Sequence, residues 1–280
     1  MLAVEGLSKA YGPVMAVREL TLAVEPATAL VVLGQNGAGK TTALRCFSGL
    51  LKPTAGRVFV DGIDTLVDAD AARANVGLVP EVPGLYDRMS ARDYLDYFAR
   101  VQGVDAVTRA RAIPGLLELF GIAEARNRWL GTFSKGMRQK VALIRATLHR
   151  PRLILADEPT SALDPDSARI AWGYLEDLRS QGSALVVCTH NMDEAQALAG
   201  SIGIMRSGRL LAAGSFKDLV GAAGLRSRRE VVERPTLEEV YLAIVNRAAQ
   251  SEDRQETEKE TDKGTDKGTE KDGQSATRPA

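Results

Sequence analysis

Gly34-Gln35-Asn36-Gly37-Ala38-Gly39-Lys40-Thr41-Thr42 fits G-x-x-x-x-G-K-[ST], the loop that wraps the phosphates of a nucleotide. The run before it, Ala29-Leu30-Val31-Val32-Leu33, is short, apolar and rich in β-branched residues, and reads as a buried strand. The run after it, Thr42-Ala43-Leu44-Arg45-Cys46-Phe47, opens a helix. Strand, glycine loop and helix form the context the motif requires. Glycines let backbone N–H groups approach phosphates that a Cβ would hold off. The helix N-terminus adds partial positive charge at the same point. Lys40 is placed to reach the β- and γ-phosphates, and the Thr41 hydroxyl to hold Mg²⁺. The expectation is a nucleoside triphosphate site built from Gly34 to Thr42.

The composition bounds the rest. A chain of 280 residues suggests one to two domains with a full core. Lys plus Arg and Asp plus Glu both number 36, so no global basic field points to nucleic acid. Cys46 and Cys188 lie far apart in apolar surroundings and read as small buried hydrophobes of a reducing compartment. The N-terminus lacks the charged and apolar regions of a signal peptide. No window offers the ~18 consecutive apolar residues of a membrane span, so any membrane role is expected to come through a partner.

Short alternating runs over residues 1–30, broken at Tyr11-Gly12-Pro13 and Glu25-Pro26, predict an antiparallel β-layer. Tyr11 either stacks on an adenine ring or packs at a turn. Arg57-Val58-Phe59-Val60 reads as a strand ending at Asp61-Gly62, and Asn75 to Pro80 as another, leading into Glu81. From about Ser90 to Trp129 the apolar residues, among them Tyr94, Leu95, Tyr97, Phe98, Val101, Leu116, Leu117, Leu119 and Phe120, fall at helical spacing, which predicts a helical insert whose aromatics are core. Pro114 is expected near a helix start. Gly136 to Leu148 reads as an amphipathic helix, Leu153-Ile154-Leu155-Ala156 and Ala184 to Cys188 as buried strands with a helix from Ser167 to Arg179 between them, and Asp193 to Leu198 as helical. Two buried strands ending in polar residues suggest a parallel sheet whose carboxyl ends form the site. Residues 202–205 and 208–214 look like a closing hairpin. His149 is expected at the surface. From Ser251 the chain is polar and repeats Thr-Asp-Lys-Gly at 261–264 and 265–268, a composition expected to be disordered.

Further features resemble the nucleotide-binding subunit of ATP-binding-cassette (ABC) transporters, over about residues 2 to 215. In Leu153-Ile154-Leu155-Ala156-Asp157-Glu158-Pro159-Thr160, an apolar strand followed by Asp and Glu suits Mg²⁺–ATP hydrolysis: Asp157 holds the metal and Glu158 activates the attacking water. Phe133-Ser134-Lys135-Gly136-Met137 resembles the L-S-G-G-Q signature, departing at Phe133, Lys135 and Met137, and implies that Ser134 and Gly136 meet the γ-phosphate on the opposite subunit of a dimer. Read alone, Ser134 is a helix N-cap. Ser161-Ala162-Leu163-Asp164 is similar to the loop that crosses the dimer interface, and His190, after a strand, to the switch histidine at the γ-phosphate. Where the family usually has glutamine this chain has Glu81, a hard oxygen donor expected to act as a metal or switch residue.

The resemblance implies an α/β fold, a P-loop NTPase with a mixed central sheet, an antiparallel β-subdomain and a helical insert at about 82–130. It divides the chain into an ATPase domain at 1–220, an extension at 221–249 and a tail at 250–280. It implies ATP and Mg²⁺ as ligands, a homodimer or paired ATPase subunit, an integral membrane permease as partner, and a peripheral place on the cytoplasmic face of the cell membrane. The S-K-G-M form, Glu81 and Pro235 to Ala243 are similar to a drug- and ion-export branch; the last stretch also reads as an amphipathic helix capped at Thr236 with Leu237, Val240, Tyr241 and Ile244 on one face. The rivals are an importer's energising subunit and a soluble ABC ATPase acting on ribosomes or nucleic acid.

Overall fold

A computed structural model describes residues 1–192, 195, 200–224, 235–237, 239–247 and 250. Most of the helix expected at Asp193 to Leu198, part of the 221–249 extension and the whole 251–280 tail lie outside the described residues. The chain divides into two units, Met1–Leu219 and Val220–Ala280.

In the first unit the described strands form two sheets. One is antiparallel, in the order β2 (Val14–Val24), β1 (Leu2–Tyr11), β4 (Ala55–Val60), β5 (Ile63–Asp64). Its alternating residues put Leu2, Val4, Val58 and Val60 inside the core. The turn from β4 to β5 is Asp61-Gly62, both at positive φ (52° and 80°), as a tight hairpin of right-handed twist requires.

The other sheet runs β10 (Arg209–Gly214), β9 (Ser201–Arg206), β3 (Ala29–Leu33), β8 (Ala184–Thr189), β7 (Leu153–Asp157), β6 (Val76–Val79). The five strands from β9 to β6 are parallel and β10 returns antiparallel, so the sheet is mixed and the fold is α/β. β3, β7 and β8 are buried at every residue, which their unbroken apolar runs foretold. The early strand β3 is inserted between two late ones, β8 and β9, and β8 in turn lies beside β7. That arrangement brings the end of β3 and the phosphate loop beside Asp157 and Thr189.

Helices α1 (Lys40–Phe47) and α2 (Ala69–Ala74) follow the first strands, with α1 starting at Lys40, two residues before the expected opening. The insert contains α3 (Ala91–Val101) and α4 (Ala106–Leu119), and α5 (Lys135–Thr147) returns to the large sheet. Helix α6 (Pro165–Ser180) connects β7 to β8, and α7 (Phe216–Ala222) follows β10.

Three local expectations are corrected. Pro114 lies deep in α4 rather than near its start, because Asp105 accepts from the N–H groups of Val107 and Thr108 and sets the start at Ala106. The N–H that proline lacks belongs to a turn whose Ala110 and Pro114 face an open cleft of about 670 Å³ beside α3. Tyr97 and Val101 are exposed because α3 buries only the face carrying Ala91, Tyr94, Leu95 and Ala99, and Leu119 is exposed at the end of α4, which buries Ile113 and Leu117. His149 is not a surface residue: both ring nitrogens are shut off from solvent, and burial pushes its pKa down. The last turn of α5 lies directly on β6, where a Cβ on Gly77 would sit 2.1 Å from the Ala146 carbonyl oxygen.

In the second unit Thr236 and Glu239 form a reciprocal cap. Thr236 N–H donates to Glu239 Oε2 (2.9 Å), and Glu239 N–H donates to Thr236 Oγ1 (3.3 Å). Leu237, Val240, Tyr241 and Ile244 are buried, as their spacing predicts.

Candidate active site

At the carboxyl ends of β3 and β7 opens a cleft of about 410 Å³. It is lined by Ala16, the loop from Gln35 to Thr42, Glu81, Asp157 and Glu158. The loop's path depends on its glycines. Gly39 has φ 101°, and a Cβ there would lie 2.3 Å from the Ala16 carbonyl oxygen. A Cβ on Gly34 would lie 2.5 Å from the Met205 carbonyl oxygen. The loop is therefore pressed against β9 at Gly34 and against β2 at Gly39, two positions that leave no room for a side chain.

Lys40 is buried and folds back, donating from Nζ to the carbonyl oxygens of Gly34 and Gln35. Thr41 Oγ1 donates to Asp157 Oδ2 at 2.6 Å. Asp157 is held well inside, and burial pushes its carboxyl pKa up; the Thr41 hydrogen bond and Lys40 oppose this, while the nearby Glu81 and Glu158 charges add to it. A hard divalent cation there would reverse that balance.

Glu158 is fixed from three sides. Its N–H donates to the Cys188 carbonyl (2.9 Å), and Thr189 Oγ1 donates to its Oε2 (3.2 Å). His190 Nδ1, in the tautomer that carries its proton there, donates to Oε1 (2.8 Å). The Glu158 backbone sits at φ 47°, a left-handed conformation that costs a non-glycine residue about 1–2 kcal/mol. Strain held in place by neighbours is common where a side chain must point into a site.

Ser134 caps α5, its Oγ accepting from Met137 N–H at 3.3 Å. Asp164 caps α6: Oδ1 accepts from Ser167 N–H (2.9 Å) and Oδ2 from Ser167 Oγ (2.7 Å), which holds its carboxyl below the usual range. The structure sets Gly136 against the 161–164 loop, where a Cβ would meet the Ala162 carbonyl oxygen at 2.8 Å. That loop is tied in turn to the Glu158 carbonyl through Ser161 Oγ (3.1 Å).

The structure thus joins Gln35 to Thr42, Glu81, Asp157 and Glu158 in one cleft and adds His190 through Glu158. Tyr11, Ser134, Gly136 and Asp164 are not part of its lining. Tyr11 is about half exposed, with Lys9 Nζ 5.4 Å from its ring centre. Ala16 was missed by sequence reading, since nothing marks one alanine of an alternating strand.

A glycine loop at the end of a parallel strand, with paired acids from a strand two places away, defines an α/β ATPase of the P-loop class. Comparison with known proteins agrees. Residues 17–161 match the family model described as ABC transporter. The chain is 40% identical over 207 residues to the ABC transporter ATP-binding protein NatA of Bacillus subtilis (strain 168), covering 74% of this chain and 84% of that protein. It is 34% identical over 220 residues to the Nod factor export ATP-binding protein I of Ralstonia nicotianae, covering 79% and 68%. A solved dimeric ATP-binding cassette in a post-hydrolysis state bound to ADP and Pi superposes with a TM-score of 0.71 at 25% identity, over 77% of this chain and 98% of that one. The chain belongs to the ABC transporter family, as an ATP-binding ATPase subunit with relatives among exporters.

Proposed function

We propose that two copies of this chain, or this chain and a paired ATPase subunit, close on two Mg²⁺–ATP to power export through a separate membrane permease. The observation that carries the reading is that Ser134 and Gly136 stand apart from the chain's own phosphate cleft while presenting a helix N-terminus. In a dimer each such edge faces the cleft of the other copy, and the related cassette solved as a dimer supports that arrangement. Asp164, on the loop against Gly136, then lies at the interface.

The donor set at the cleft fits Mg²⁺. Among the described residues no group of three or more His, Cys, Asp or Glu is placed to hold a metal alone. Mg²⁺ ordinarily takes one or two carboxylates, waters and phosphate oxygens, which Thr41, Asp157 and Glu81 complement as hard donors. When bound, it neutralises charge on the β- and γ-phosphate oxygens.

Within that frame the loop N–H groups and Lys40 grip the phosphates, Lys40 exchanging its loop carbonyls for phosphate oxygens. Glu158 orients and deprotonates the attacking water, and His190 holds Glu158 Oε1 and meets the γ-phosphate. Tyr11 offers a face for the adenine ring. Closure with ATP and reopening after hydrolysis make a two-state element biased by nucleotide.

For the domain plan we retain an ATPase domain at 1–220 with its helical insert at about 82–130, an extension at 221–249 and a tail at 250–280. The exposed Val82, Tyr86, Tyr97 and Val101 of the insert suit a permease contact and so support the reading of a peripheral subunit at the cytoplasmic face of the membrane. No helix among the described residues is long and apolar enough to cross a membrane itself.

The test is affinity purification of the chain from detergent-solubilised membranes of its own organism, with partners identified by mass spectrometry. A polytopic membrane protein in about equal amount is the expected result. Recovery only from the soluble fraction with ribosomes or nucleic acid would overturn the transporter reading.

A further inference from the structure

The loop that carries Glu81 is held at both ends by adjacent residues of α5. At one end, Gln139, fully buried, directs Nε2 at the Pro80 carbonyl (3.4 Å). At the other, Arg138 Nη1 donates to Asp87 Oδ1 (2.7 Å) and to the Leu130 carbonyl (2.9 Å). The backbone reinforces the second attachment: Gly131 N–H donates to the Asp87 carbonyl (3.0 Å) and Leu130 N–H to the Met89 carbonyl (2.9 Å). A Cβ on Gly131 would already crowd Asp87 Cβ at 3.1 Å, so the two strands of chain lie as close as they can.

Arg138 is also the residue whose N–H closes the first turn of α5 onto the Ser134 carbonyl (2.9 Å). One residue therefore fixes the turn bearing Ser134 and Gly136 and clasps the loop that runs from the ATP cleft. The rest of α5 is packed solid, with Val141, Ala142, Leu143 and Ile144 fully buried, so its N-terminal turn and the clasped loop shift as one body.

We propose that Arg138 is a positioning residue which, with Asp87, ties the Glu81 loop of one cleft to the Ser134–Gly136 edge presented to the other. The inference rests on the reading of that edge as the partner-facing phosphate contact. Occupancy at one site then sets the placement of the edge at the second, and the two sites respond to ATP together. The clasp is not a prop for the fold: the Asp87 side chain is 65% exposed, and ion pairs of that kind contribute little to stability.

The experiment measures hydrolysis against ATP concentration for the full chain, for Arg138→Gln, Asp87→Asn and the double variant, alongside Mg²⁺-free binding of labelled ATP. Wild type is expected to respond cooperatively. Each single variant loses cooperativity and about fivefold in maximal rate, binds Mg²⁺-free ATP as wild type does, and the double variant loses no more than Arg138→Gln alone. A non-cooperative wild type, unchanged cooperativity in both single variants, or additive losses in the double would overturn the proposal. Ser134→Arg separates the two levels of inference. Full activity in Ser134→Arg sinks the reading of the edge itself, whereas an inactive Ser134→Arg beside a wild-type-like Arg138→Gln sinks the coupling alone.

Discussion

Thr41 Oγ1 and Asp157 Oδ2 lie 2.6 Å apart although 116 residues separate them in the chain. The hydrogen bond closes the first turn of α1 onto the end of β7. It thereby brings the phosphate loop and the paired acids, which the sequence supplies separately, to a common point. Hydroxyl and carboxylate are both hard oxygen ligands, and their proximity supports the proposal that Mg²⁺ is held here.

Glu158→Gln removes the proposed base while keeping size and most hydrogen-bonding capacity. Hydrolysis is expected to fall by about 10²-fold or more with ATP binding retained. Phosphate release and equilibrium nucleotide binding, measured on the same preparation, check this. A near-wild-type rate would refute the assignment.

Glu81→Gln takes one negative charge from beside Asp157, whose carboxyl pKa that charge helps to raise. Mg²⁺-free ATP is expected to bind more tightly and Mg²⁺ to be needed at about threefold higher concentration for half-maximal hydrolysis. Titrations of both ligands decide it. If neither moves, the charge at position 81 has no special role.

Gly39→Ala forces a side chain into left-handed backbone and against the Ala16 carbonyl. The loss of stability should exceed about 1 kcal/mol, seen as a lower denaturation midpoint, and nucleotide binding should fall with it. Gly37→Ala, at φ 82° but with open space around its Cβ, serves as the control that carries strain without the collision.

The Cys46 thiol is buried, which pushes its pKa up to about 11, Lys9 opposing the shift slightly. The unfolded chain, whose thiol ionises near its ordinary value, binds fewer protons than the folded one between the two pKa values. This residue's contribution to stability is accordingly constant below about pH 8.5 and falls, by on the order of 2 kcal/mol, as pH rises toward 11. Denaturant midpoints between pH 8 and 11, compared with a Cys46→Ala variant that lacks the slope, test the sign. Native Cys46 and Cys188 should also resist alkylation at pH 8 until the chain unfolds.

The features legible in the sequence are those whose cause is local. The phosphate loop is recognisable because glycine spacing, Lys40 and Thr41 act within one turn of chain. Asp61-Gly62 marks the end of its strand, and the structure shows both residues at positive φ. Buried strands β3, β7 and β8 announce themselves as unbroken apolar runs, and Thr236 and Glu239 as a cap. Pro114 misled because proline is read by its local preference, while the cap at Asp105 sets where α4 begins. Tyr97 and Val101 misled because helical spacing fixes which residues share a face but not how much of that face is covered.

The sequence by itself determined which residues could grip phosphate and which acids follow a buried strand, since backbone conformation and burial of short segments are set by near neighbours. Only the tertiary structure decided that β8 stands between β3 and β7, that His190 and Thr189 hold Glu158, that Gly136 rests on Ala162, and that Arg138 clasps Asp87. Those meetings join residues far apart in the chain. They depend on strand order and on how closely backbones pack, and no local pattern encodes either.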